Sequence, residues 1–93
     1  MQGADEQSYE EVIEQLRAYT NKVFEAVNGM YTAGQDCVDN TDNDPAAERS
    51  NGNLRTALGK INDSLQSINE VIAALNREME QIREKAARAN GCD

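Results

Sequence analysis

The sequence predicts an all-α fold: an antiparallel two-helix hairpin of long, coiled-coil-like helices that pairs further into a four-helix bundle. Three observations predict it. Apolar residues recur at alternating steps of three and four through two long runs, and one polar stretch carrying the only proline separates those runs. With 4% aromatic residues and neither Trp nor His, the chain suits helices packed through Leu, Ile and Val better than a core built around large rings. Its 93 residues make one domain, 1–93, in which a folded chain buries little more than about 60% of the surface it would expose unfolded. Stability as a lone hairpin is marginal.

Helix one is expected over about 5–39. From Tyr9, the stepping visits Ile13, Leu16, Thr20, Val23, Val27, Met30, Gly34 and Cys37. Phe24, Tyr31 and Val38 lie on one flank of this seam, and Val12, Tyr19, Ala26 and Ala33 lie on the other, which gives the helix a wide apolar face. Asp5, Glu6, Glu10 and Glu11 load the first turns with the charge that the N-terminal end of a helix dipole prefers. Ala26, Gly29, Ala33 and Gly34 are small, so either the helix bends near Gly29 or another helix approaches closely there.

The polar loop is expected over about 40–53. Its first five residues, Asn40 to Asp44, have the alternate oxygen spacing that opens a calcium loop. Pro45, however, stands where that loop requires glycine, and Asn51 stands where it requires a bidentate Glu. A helix start fits better, with Asp44 as N-cap, Pro45 at the first helical position and Glu48 close to the capping-box position. Helix two begins either there or only after Ser50-Asn51-Gly52-Asn53, a polar tetrad that could equally be a second break.

Helix two is expected over about 54–90. From Leu54 the stops are Leu58, Ile61, Leu65, Ile68, Ile72, Leu75, Met79, Ile82, Ala86 and Ala89, all apolar through five heptads. Asn62, Asn69, Asn76 and Arg83 line one side of the seam, so this helix has a narrower stripe than helix one. Asn90-Gly91 is a left-handed C-cap pattern.

This mismatch in width predicts a partner. A narrow second helix covers only the middle of the first, which leaves Val12, Tyr19, Phe24, Ala26, Gly29, Tyr31, Ala33 and Val38 as the candidate partner-binding residues. Cys37 and Cys92 stand at opposite ends of such a hairpin, roughly 60 Å apart at 1.5 Å per residue, beyond disulfide reach within one chain. In a head-to-tail antiparallel dimer they approach one another as a possible inter-chain disulfide, although two free thiols are the simpler expectation.

Charge bounds the partner. Residues 1–48 hold 11 acidic and 2 basic side chains, net −9, and residues 49–93 hold 6 and 7, net +1. Nucleic acid and anionic membrane surfaces are therefore not expected as primary partners. No run approaches the ~20 apolar residues of a membrane span, and the polar, acidic start lacks the pattern of a signal peptide. With no His for general-base work and no glycine-rich phosphate cradle, no enzyme activity, catalytic residue, cofactor or metal is expected.

Length, acidity, two long helices and an Asn-Gly near the middle resemble the Trp-X-Gly family of small helical-hairpin proteins, including the hairpin companions of LXG-domain toxins. The resemblance is one of architecture and covers nearly the whole chain. The family's turn motif falls near Ser50-Asn51-Gly52, where this chain has no tryptophan, and no Tyr-X-X-X-Asp/Glu export signal follows residue 80. What the resemblance implies is a companion or targeting role in type VII secretion, pairing with a helical toxin domain, a second hairpin protein or another copy. The chain is then cytoplasmic or exported by that signal-peptide-independent route. A cytoplasmic coiled-coil adaptor or assembly subunit unrelated to secretion is the alternative.

Overall fold

The computed structural model describes residues 6–91 of the chain, and the side chains of residues 6–89. Two helices account for all but four of these residues: α1, Glu6–Asn40, and α2, Pro45–Gly91. They run antiparallel as a rod 74 Å long and 19 by 15 Å across.

The turn between them is short because each end of it is capped. Asp42 and Asn43 adopt left-handed φ values of 53° and 61°, a region that Asp and Asn tolerate better than most residues. Asn43 N donates to Val38 O at 2.9 Å and Asp42 N to Asp39 O at 3.4 Å, the paired bonds of a Schellman ending that satisfy the last carbonyls of α1. Asp44 then caps α2, accepting from Ala47 N at its Oδ2 (3.2 Å), while its carbonyl accepts from Glu48 N (2.9 Å). Pro45 holds the first helical position as expected.

The loop is thus residues 41–44, and the expected span of 40–53 is corrected. Ser50 to Asn53 belong to α2, and Asn51 packs directly on Gly34 there, although its Oδ1 is buried without a hydrogen-bond partner. At the far end α2 continues through Gly91.

Each helix seals one line of residues, spaced by seven. On α1 the line is Ile13, Thr20, Val27 and Gly34; on α2 it is Leu58, Leu65, Ile72 and Met79, with half-buried Asn51 at the loop end. Val27 and Leu58 are the most deeply enclosed, each 1% exposed. Thr20 serves on this line because its hydroxyl donates to Leu16 O at 2.6 Å within the helix. Toward the open end Ile13, Ile72 and Met79 cluster with half-buried Tyr9, Leu16 and Leu75.

The second line of the expected seam is only partly covered. Val23, Met30 and Cys37 on α1 and Ile61 and Ile68 on α2 are exposed, because two helices alone flank each other on one side and leave the neighbouring row open; Ala86 and Ala89 are exposed because they lie beyond the start of α1. Arg83 joins the open ends: its Nε donates to Glu6 Oε2 at 2.6 Å, and its guanidinium lies near Glu10 (3.9 Å) and Glu80 (3.1 Å). The hydrogen bond to Glu6 and then its charge raise the Arg83 pKa above its ordinary value. After Arg83, α2 runs eight residues past the height of Glu6.

Candidate functional site

The contacts between the helices divide the rod into two faces. On one, Arg55 lies 5.1 Å over the Tyr31 ring, Phe24 borders a groove with Asn62, Leu65 and Asn69, and Glu10 meets Arg83. On the other, Tyr9 and Val12 border Leu75, and Cys37 lines a groove with Ala47 and Leu54. Residues seven apart in a heptad helix share a row, so these contacts assign the rows beside the sealed line to a face.

The first face is polar. It carries Arg55, Asn62, Asn69, Asn76 and Arg83 on α2, and on α1 it sets Phe24 and Tyr31 among Glu10, Glu14, Asn21 and Asn28. Phe24 is half exposed here and Tyr31 is half buried beneath Arg55. Each aromatic is a single ring surrounded by side chains that water solvates well.

The second face is apolar and continuous. From Tyr9 to Cys37 its two α1 rows contain Tyr, Leu, Val, Met, Cys and Ala, and from Leu54 to Leu75 its two α2 rows contain Leu, Ile, Ala, Ser and Val, without one charge. Tyr19 is 63% exposed and Val71 52%, and Val12, Val23, Met30, Ile61 and Ile68 are all more than one-third exposed. Single exposed apolar residues are normal on protein surfaces, whereas here seven form one contiguous stripe. Covering side chains that are already half buried gains about 1 kcal/mol each, half of the usual ~1.5–3 for a large residue.

The eight residues expected to meet a partner are therefore split by the structure. Val12, Tyr19, Ala26 and Ala33 share the apolar face; Phe24 and Tyr31 stand on the polar one; Gly29 lies at the rim of the apolar face. Val38 is corrected: it is 6% exposed, sealed at the loop end within the hairpin itself, where the chain turns and α2 closes over that flank. Close approach of the two helices occurs at Gly34, not Gly29. A Cβ on Gly34 would run into the Asn51 side chain and come within 3.0 Å of Leu54, whereas one on Gly29 would meet nothing within 4 Å. Nor does α1 break at Gly29, since it is one helix from Glu6 to Asn40.

Five members of the face come from outside the expected set: Val23 and Met30, which the stepping assigned to the seam, and Ile61, Ile68 and Val71 on the helix judged narrow. A signal for the last three was present in the Ala57, Ser64, Val71 row, whose small and apolar residues lie beside Ile61 and Ile68. Of the cysteine pair, Cys37 is an exposed free thiol and Cys92 lies outside the described residues.

Among the described residues no group of three or more His, Cys, Asp or Glu could hold a metal ion, and no helix is long and apolar enough to cross a membrane. No family model matches the chain, no curated protein matches it, and no solved structure matches it.

Proposed function

We propose that this chain is a non-enzymatic helical interaction protein that works by laying its apolar face against another helical protein. The observation that carries the reading is the uncharged stripe formed jointly by α1 and α2, with Tyr19, Val23, Ile68 and Val71 at its centre. A partner presenting two antiparallel helices with an apolar face of similar length matches its shape. On the architectural resemblance to Trp-X-Gly hairpins, the partner class is a helical toxin domain or a second hairpin, and the role is that of a type VII secretion companion.

The experiment sizes the tagged chain in extract of its native host. Wild type should elute in a complex well above its own 10.3 kDa, and Tyr19→Glu with Ile68→Glu should elute alone while keeping its helical circular dichroism. Phe24→Glu, on the polar face, should leave the complex intact. A wild-type chain that elutes as a monomer would sink the interaction reading. Loss of the chain from culture medium on deletion of the secretion ATPase tests the export arm; unchanged amounts in medium and cells would remove it.

A further inference from the structure

We infer that the partner of the apolar face is a helical protein with acidic residues along its outer edges, and that Lys22 and Lys60 are the residues that select it. This deepens the interaction reading and rests on it.

The rim of the apolar face carries a sign opposite to that of the chain. On α1 the rim is the row of Lys22 and Gly29, and on α2 it is the row of Asn53, Lys60, Ser67 and Ala74. Between Val12 and Ala33 on α1 and between Leu54 and Leu75 on α2, the face and its rim hold two lysines and no acid, a local charge of +2. The polar side of the same two stretches holds Glu14, Glu25, Asp63 and Glu70 against Arg17 and Arg55, which is −2. Acids appear on the apolar side only at its two ends, as Asp36 and Glu78, and where α2 runs on alone the same rows continue with Lys85 and Arg88. A chain of −8 turns a positive side toward its partner.

Both lysines are placed to act there. The Lys22 ammonium lies 5.9 Å over the Tyr19 ring, so it leans onto the apolar face and not away from it. Among the described residues the ion pairs are those of Arg83, so neither lysine is paired with a carboxylate of its own chain. The acids nearest in sequence, Glu25 and Asp63, stand one row further round, on the polar side. With Tyr31 under Arg55 and Gly34 against Leu54, Lys60 stands near the height of Ala26. At 1.5 Å per residue that is only about 6 Å along the rod from Lys22. The two charges flank the middle of the stripe from opposite sides.

A second copy of this chain meets such a rim badly. Two copies stacked in parallel put Lys22 of one beside Lys60 of the other, and two stacked antiparallel about the middle of the stripe put Lys22 beside Lys22. In either case lysine faces lysine, and like charges set against each other across an interface disfavour the pair. A partner with Glu or Asp on each outer edge at that height turns both contacts favourable. The acids of the polar face weigh less, because the rod is 15 Å thick and the screening length in physiological salt is about 8 Å. Each exposed pair changes affinity by at most about fivefold, so the lysines decide which partner binds more than how tightly the face holds it.

The test uses two designed helical hairpins with the same Leu and Ile stripe, one with Glu and one with Lys at the outer-edge positions, added to the purified full chain in physiological salt. The Glu-edged hairpin should bind about tenfold more tightly by calorimetry, against the order that the net charge of −8 predicts. Lys22→Glu with Lys60→Glu should reverse that preference at unchanged helicity, and Lys22→Arg with Lys60→Arg should keep it. In host extract the Glu-substituted chain should lose the wild-type complex and the Arg-substituted chain should retain it.

Equal binding of the two probes, binding of neither, or a Glu-substituted chain that keeps its complex overturns selection by charge. A purified chain that weighs twice 10.3 kDa by light scattering at micromolar concentration also overturns it, because the face then accepts its own rim. Flotation of wild type, but not of the Glu-substituted chain, with vesicles containing phosphatidylserine would overturn it by assigning the lysines to lipid headgroups. If the probes are not told apart and the wild-type complex still forms in extract, the interaction reading stands and only its acidic partner falls.

Discussion

The two faces of this rod are built from the same two helices and the same seven-residue repeat, yet they carry opposite surfaces. One presents Tyr19, Val23, Ile68 and Val71 with no charge among them, and the other presents Asn62, Asn69 and Asn76 in a row, with arginine at each end of the row. Between them runs the sealed line from Ile13 to Gly34 and from Leu58 to Met79. The difference teaches that in a two-helix protein the row that seals the fold and the row left apolar at the surface lie side by side. Folding needs one row per helix, and whatever is apolar beyond that row is available for a partner on whichever side the polar residues leave clear.

The sharpest way to break this division is to compare a residue on the sealed line with its neighbour on the apolar face. Leu58→Ala should cost about 2–5 kcal/mol, enough to unfold most of a hairpin this small, because the side chain is enclosed between both helices. Ile61→Ala, less than one turn away and more than one-third exposed, should cost clearly less in a monomer and show its main effect on assembly. Thermal melts followed by circular dichroism, with mass measured in parallel, check both. Equal losses of stability would mean that the face is part of the folding core and not a separate surface.

A second comparison concerns two glycines five residues apart. Gly34→Ala forces a methyl into Asn51 and Leu54, and overpacking of about 1–3 kcal/mol should exceed the gain of about 1 kcal/mol in helix propensity. Gly29→Ala has open space around it and should stabilise the helix by about 0.5–1 kcal/mol. Opposite signs in chemical denaturation are expected. If both substitutions stabilise, Asn51 moves aside freely and the close approach at the loop end is not a constraint.

Much of this was legible in the residues alone. The 3.5-residue spacing gives both helices, their antiparallel return and the apolar residues of the sealed lines, since a period sustained over five heptads has no competing strand reading. Asp44-Pro45 gives the true start of α2. What spacing cannot give is the rotation of each helix about its own axis. The sequence reads Val23 as seam and Phe24 as exposed flank, and only the partner helix decides that Val23 joins a continuous apolar face while Phe24 stands alone among polar neighbours. For the same reason Val38 reads as free surface in one dimension and is sealed in three. The tetrad Ser50 to Asn53 is ambiguous for a different reason: its local propensity allows a break, whereas in the fold Gly34 across the interface leaves room for Asn51 and the helix runs through.

The smallest effect sharpens the comparison from the polar side. Asn62 has a buried side-chain oxygen without a hydrogen-bond partner, so the row that keeps this face polar does so at some cost to the fold. Asn62→Leu should therefore stabilise the hairpin by about 1 kcal/mol, by removing an unpaired polar atom beside Leu65 and Phe24. The same change also begins a second apolar face around Phe24, and Asn69→Leu added to it should extend that face by two turns. The doubly substituted chain is expected to melt higher than wild type but to form assemblies larger than the wild-type complex by light scattering. A doubly substituted chain that gains stability and keeps the wild-type mass would show that the asparagine row does not limit association.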